Sequence, residues 1–273
     1  MRTPASTQQT ETFAEFGLRS NFSFLEGASH PEELAVMAAR LGQHRFGLAD
    51  RNTVAGVVRA HMAARESGLV FHPGTRLCFA DGTPDILAYP KNRAGWGRLC
   101  RLLTCGNLRA EKGACTLALQ DLFDWGEDLN LIVLPVTHSD LGDPEVGNRR
   151  EEELRDLLRQ LKDIFARSVR LALVPAHEGH DRIRLARLSR MARAARVKTI
   201  ATNDALCHDP ARRADQHVLT AIRNHVPLDR AGRLLSAHGE RHLKGAAEMD
   251  YLLRDYPEAL GETLRFAREL TFS

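Results

Sequence analysis

No apolar run in the 273-residue chain reaches the roughly 18 residues of a membrane-spanning helix, so no membrane partner is expected. The first twelve residues, MRTPASTQQTET, lack the apolar core of a secretion signal and read as a flexible leader over 1–12. No C-x-x-C pair occurs among the five cysteines, Cys78, Cys100, Cys105, Cys115 and Cys207. An odd count without framework spacing argues against a disulfide scaffold or a zinc cluster and for reduced thiols in a cytoplasmic protein. The chain also lacks G-x-x-x-x-G-K-[ST], a G-x-G-x-x-G after a strand, and G-x-S-x-G. These absences remove the phosphate-cradling loop, the dinucleotide fingerprint and the nucleophile elbow. Arginine and lysine are common, yet no aromatic-interleaved platform for single-stranded nucleic acid is present.

What remains is ordinary in bulk. Apolar content is 43%, enough for a real core, and the formal net charge of +3 demands no acidic partner. The length suits one large domain, and an α/β barrel commonly needs about 200–250 residues. Short apolar runs alternate with amphipathic ones. Strands are expected at 13–18, 45–49, 68–79, 84–90, 129–135, 169–175 and 197–202. Helices are expected at 53–67, 94–106, 151–166 and 181–195. A further helix starts near Pro31, where Ser29 and Glu32 read as a capping box and Leu34, Met37, Ala38 and Leu41 share a face. Such alternation argues for a parallel sheet, closed as a barrel or doubly wound. No fixed-period repeat is visible. The one candidate boundary lies near 205–215, giving a barrel over 13–204 and a mostly helical extension over 205–273.

In α/β barrels the active site gathers at the carboxyl ends of the strands. The residues found there are Arg19 to Asn21, Asp50 and Arg51, Arg76 (or His72 if that strand is short), Lys91 to Arg93, His138, His177, and Asn203 and Asp204. Asp50 and Asp204 each fit a metal ligand or general base, or equally a helix N-cap. The stretch HEGHD, 177–181, is not H-E-x-x-H and reads as a solvated loop whose Asp181 helps cap the next helix. His177 is its one member placed to enter a barrel mouth. Arg184, Arg187, Arg190 and Arg193 recur every third residue and read as a broad solvated helix face, with phosphate contact as the alternative.

The stretches SNFSFLEGASHPEEL, GLADRNTVAGVVRAH, NRAGWGRLCRLLTCGNLRAEKG, IATND and QHVLTAIRNHVPLDRAGRLLSAHGERHLKGAAEM carry a specific likeness. In order and spacing they resemble the N-terminal PHP domain of bacterial error-prone DNA polymerases of the C family, over about 13–273. The resemblance implies a distorted (β/α)7 barrel with a C-terminal helical extension, and a polymerase palm beyond residue 273. Active members of the family hold up to three metal ions with His, Asp, Glu and sometimes Cys, and hydrolyse phosphoesters.

Position by position, that ligand set is largely missing here. Gly17 and Arg19 stand where the family's first histidines would be, Arg51 follows Asp50 in place of histidine, Arg76 replaces a glutamate, and Leu206 replaces the last histidine. Asp50, Asp204 and His177 remain as vestigial ligand positions. Arginine has no lone pair for a metal and stays protonated. Two like charges ~4 Å apart repel by about 4 kcal/mol at an effective dielectric near 20. The expectation is therefore that Arg19, Arg51 and Arg76 form a charge network with the surviving aspartates, and that no cofactor is bound.

Three functions stay open. The first is a non-catalytic, structural PHP domain of a translesion polymerase. Its partners would be the rest of the polymerase chain, DNA, and other translesion or clamp proteins. The second is a phosphoesterase or 3′–5′ exonuclease using Mn, Zn or Mg. The third is a DNA-backbone-binding module, with Lys91 and Arg93 as further phosphate contacts.

Overall fold

A computed structural model describes residues 11–135, 144–177 and 179–272. His138, Glu178 and leader residues 1–10 lie outside the described residues. Seven strands form one curled sheet in sequential order: β1 (Glu15–Leu18), β2 (Arg45–Arg51), β3 (Val70–Leu77), β4 (Ile86–Pro90), β5 (Leu129–Val133), β6 (Val169–Leu173) and β7 (Lys198–Ala201). Helix α1 (Pro31–Arg40) follows β1, and α2 (Val57–Glu66) follows β2. Helices α3 (Arg93–Arg109) and α4 (Leu119–Trp125) lie between β4 and β5. Helix α5 (Pro144–Phe165) follows β5, and α6 (Asp181–Ala194) follows β6. The extension holds α7 (Arg213–Arg223), α8 (Ala246–Leu252) and α9 (Pro257–Arg268), separated by 3-10 turns and irregular chain.

The sheet is a curled half-barrel of mixed rather than parallel strands. β1, β2 and β3 pair in parallel, as do β5, β6 and β7, but β4 runs antiparallel to both its neighbours. The reason is local. The ADGTP stretch between β3 and β4 is too short for a crossover helix and places Gly82 at φ +86°, so the chain turns back as a hairpin. This reversal puts the end of β4 at the opposite rim from the other strand ends.

The strands are buried on both faces, which explains their near-continuous apolar character. Inside the curl, Phe16, Tyr89 and Phe266 meet edge to face, with ring centroids 4.9–5.7 Å apart. The Tyr89 hydroxyl crosses the interior to donate to the Phe16 carbonyl. Gly74 on β3 makes that crossing possible, since a Cβ there would lie 2.5 Å from the Tyr89 ring. On the outer face, Leu131, Val133, Leu171 and Leu173 pack against Leu154, Leu158, Leu185 and Leu188 of the covering helices.

Helix α1 starts one residue later than Ser29 suggests. Pro31 takes the first helical position, so His30 is the N-cap and its N–H donates to Glu33 at 2.8 Å. Ser29 Oγ instead meets His208 Nδ1 at 2.7 Å, and Glu32 pairs with Arg59 at 2.6 Å.

The extension packs as part of the same body. Phe266 of α9 lies in the interior cluster with Phe16 and Tyr89. Below it, the Arg170 guanidinium is 1% exposed and donates to Glu262 at 3.1 Å and Glu269 at 2.6 Å, with its carbon 5.2 Å from the Phe266 ring centre. A buried arginine facing Glu262 of α9 and Glu269 at its C-terminal cap fixes that helix against the sheet.

Among the described residues β1 and β7 share no strand ladder, and a buried carboxylate joins them instead. Glu15 Oε1 accepts from Gly17 N at 2.6 Å and from the Thr202 hydroxyl, and Oε2 accepts from Asn203 N at 2.8 Å. Burial pushes the Glu15 carboxyl up, against the pull of these donors. Arg19 N then donates to the Ala205 carbonyl at 3.1 Å. Only glycine fits at position 17, because a Cβ would lie 2.2 Å from Thr202 Oγ1 and 2.9 Å from Asp204 Cα. Gly17→Ala is therefore expected to lower unfolding stability by about 1–3 kcal/mol, read by urea denaturation. An unchanged midpoint would refute the close approach.

Candidate functional site

Asp204 follows β7 in the left-handed region, with φ +46°, which turns its carboxylate into the mouth of the curl. Its Oδ1 accepts from Arg76 Nη1 at 2.7 Å. Its Oδ2 accepts from Arg19 Nη2 at 3.1 Å and from Arg241 Nη2. Arg241 also donates to the Asp204 carbonyl at 2.9 Å. Burial alone would raise the Asp204 carboxyl, but Arg19, Arg76 and Arg241 outweigh it and hold the group well below the usual carboxylate range. Arg19 is lowered as well, against the pull of Asp204 and Glu26. Burial, then Arg76 and Arg241, push it down to about 10, so it is still protonated at neutral pH.

Two further acids share these guanidinium groups. Glu26 accepts from Arg19 at 3.1 Å and Arg51 at 2.5 Å, and lies 3.4 Å from Arg223. Asp85 accepts from Arg76 Nε at 2.6 Å. Five arginines thus face three carboxylates across the mouth. Of the three arginines read from sequence, Arg19 and Arg76 reach Asp204, whereas the half-exposed Arg51 serves Glu26. Glu26, Asp85 and Arg241 were missed. The hairpin signal around Asp81 and Gly82 could have found Asp85, since it predicts a reversed strand starting at the mouth. Nothing in the sequence marks Arg241, which enters from the extension.

Asp50 stands apart from the arginines. Its Oδ1 accepts from Ser20 N and Ser23 Oγ, both at 2.7 Å, and its Oδ2 accepts from Ser20 Oγ at 2.7 Å. Burial pushes its carboxyl up, and the serine donors offset this only in part. Its role is to hold the 20–29 loop on the end of β2, because Ser23 Oγ also accepts from Arg51 N at 3.0 Å.

Other expectations need correction. Lys91 and Arg93 do not reach the mouth, because β4 is antiparallel and ends at the opposite rim. There Lys91 Nζ donates to Ser168 Oγ at 2.5 Å, and Arg93 begins α3. His177 turns away from Asp204 towards the extension. Its ring lies 5.6 Å from that of His238, and its Nε2 is 4.0 Å from Glu240 Oε2. Burial lowers its pKa. Asp181 staples the loop before α6 rather than capping that helix, accepting from His177 N at 2.7 Å and Ala176 N at 2.9 Å. Arg187, Arg190 and Arg193 are exposed as expected, but Arg184 is buried against the Val174 carbonyl and Asp181.

Glu240, His242 and Glu248 have ligand atoms close enough to share one cation. The Lys244 ammonium already stands among them, 2.8 Å from Glu240, 3.2 Å from His242 Nε2 and 2.5 Å from Glu248. The lysine side chain is fully buried, and these partners face its nitrogen in place of water. All five cysteines are free, and burial pushes the Cys78 thiol up to about 12 and Cys207 up to about 11, which leaves both unreactive at neutral pH.

A curled seven-stranded sheet with its polar cluster at the strand ends defines a PHP-type barrel. The PHP domain family matches residues 15–173, and the chain belongs to that family. The error-prone DNA polymerase of Mesorhizobium japonicum is 53% identical over 263 residues, covering 96% of this chain and 23% of that protein. Error-prone DNA polymerase 1 of Rhizobium meliloti is 54% identical over 261 residues, with the same two coverages. The chain thus spans about a quarter of the length of these relatives. A solved amidohydrolase from Chromobacterium violaceum, with bound sulfate and no metal, covers 69% of this chain and 86% of its own at 16% identity and a TM-score of 0.48, too distant to bear on the site.

The Asp204 cluster makes a signed prediction about pH. A carboxyl held below its unfolded value of about 3.9 contributes stability that is complete above that pH and is lost as pH falls through the folded value. Asp204→Asn strips three buried or half-buried guanidinium groups of a shared anion. It should cost about 3–5 kcal/mol at pH 7. The gap from wild type should narrow below about pH 4, measured by urea denaturation across pH. A gap that stayed constant down to acid would show that the carboxylate is not held by charge.

Proposed function

We propose that this chain is the PHP domain of an error-prone, damage-tolerant DNA polymerase, with a degenerate metal site and a structural role. The carrying observation is the closure of Asp204 by Arg19, Arg76 and Arg241. Both of its oxygens face guanidinium donors, so a dication there would meet fixed positive charge instead of lone pairs. Asp50 spends its oxygens on serine donors, and His177 faces Glu240. In the other acidic cluster, Lys244 occupies the cation's place. This donor set does not fit a divalent metal.

On this reading the domain buttresses the polymerase body, acts in DNA damage tolerance, and works in the cytoplasm. Its partners are the rest of the polymerase chain and, through it, DNA and other translesion or clamp proteins. Among the described residues no helix is long and apolar enough to cross a membrane. Elemental analysis of the purified protein should find metal far below one ion per chain, and a manganese-supplemented nuclease assay should stay at background. One bound ion per chain, lost together with hydrolysis in Asp204→Ala, would return the site to the phosphoesterase class.

A second reading, a DNA-backbone contact, is favoured by one feature. A cavity of about 590 Å³ at the mouth is lined by five arginines, among them Arg19, Arg76 and Arg241, and by three acids, Asp85, Glu153 and Asp204. It predicts DNA affinity that falls steeply with salt and weakens when Arg76 and Arg149, both lining the cavity, are changed together to alanine, measured by fluorescence anisotropy. Affinity indifferent to salt and to the Arg76 and Arg149 changes would remove this reading.

A further inference from the structure

Helix α7 presents its faces in an order unsuited to a free surface. Its buried positions are Gln216, Thr220 and Ala221. The two polar ones satisfy each other, Gln216 Nε2 donating to Thr220 Oγ1 at 2.9 Å and that hydroxyl donating to the Gln216 carbonyl at 2.9 Å. Val218 and Ile222, one turn apart, are about half exposed on the outward face. The chain keeps this character past the helix, where Leu228 and Leu234 sit half exposed in successive 3-10 turns. Arg213, Arg223, Arg230 and Arg233 lie in the same segment and are exposed, and outnumber its exposed acids Asp215 and Asp229. The Arg223 pair with Glu26 at 3.4 Å also ties α7 to the 20–29 loop, which carries Phe24 at 80% exposed.

A helix that satisfies polar groups inward and turns branched apolar residues outward is built for a second surface. Branched apolar side chains at the centre suit protein rather than a phosphate backbone. The relatives supply the occupant, since the region matched by this chain is only 23% of their length. We propose that the outer face of α7 and the turns through Leu234 seats the remainder of the polymerase polypeptide, through an apolar patch whose rim carries carboxylates opposite the arginines. The inference rests on the structural reading above and names the surface through which that role is exerted.

Hydrogen exchange read by mass spectrometry, in the 273-residue chain and in the full-length polymerase that carries it, tests this directly. Peptides within 214–235 should exchange about tenfold or more slowly in the full-length protein. Ile222→Glu and Val218→Glu should abolish that slowing while leaving the melting temperature of the 273-residue chain unchanged, because both side chains point outward. Protection elsewhere on the domain but not at 214–235 would overturn this surface and leave the structural role standing. No protection anywhere on the domain would sink both. A concentration-dependent dimer of the 273-residue chain, lost in Ile222→Glu, would assign the face to a second copy and overturn the proposal.

Discussion

One buried carboxylate organises the mouth of this barrel. Asp204 gathers Arg19 from the end of β1, Arg76 from β3 and Arg241 from the extension. Each guanidinium would be costly to bury alone, by several kcal/mol for a desolvated ion. Each becomes tolerable because it has a carboxylate, and Arg19 and Arg76 have a second one in Glu26 and Asp85. The cluster is more valuable as geometry than as energy, since a hydrophobic replacement of similar volume could be as stable. What the charges add is a fixed relation between three segments far apart in sequence.

The other end of the barrel uses the same device with the signs reversed. There a buried cation, Arg170, gathers Glu262 of α9 and Glu269 at the C-terminal cap of that helix, with Asn130 beside it. The segment after β7 is therefore held at both rims, by Arg241 above and by α9 below. Residues 205–273 read in sequence as an addition to a finished barrel. In the fold they supply part of the interior aromatic cluster and one of the three arginines on Asp204.

The sequence carried most of the strand and helix pattern because local periodicity and glycine placement are local signals. Helix α1 moved by one residue once Pro31 claimed the first helical position, and α5 begins seven residues before the Glu151 start read from its charge pattern. The direction of β4 was the costly miss, since it sent Lys91 and Arg93 to the wrong rim and hid Asp85. The site was legible where it depended on residues at or just beyond strand ends, as with Arg19, Arg76 and Asp204. It was illegible where a partner arrived from a distant loop. Asp50 shows a different limit: the sequence offered it an arginine, and the fold satisfied it more cheaply with two serines from its own neighbouring loop.

Two chemically distinct ways exist to neutralise carboxylates at the mouth of such a barrel. A metal ion does so reversibly, so the charge balance depends on metal concentration and on ligands free to exchange. Arginines do so through covalent tethers, so the balance is set once, by folding, and is held at any metal concentration. A tethered guanidinium also cannot activate a water as a metal does, because it has no vacant coordination position. On the structural role proposed above, the arginines that make the mouth self-sufficient also withdraw it from hydrolysis. Gly17, Arg19 and Arg76 belong together in that sense: one admits the close approach of β1 to Asp204, and the other two hold the carboxylate of that residue.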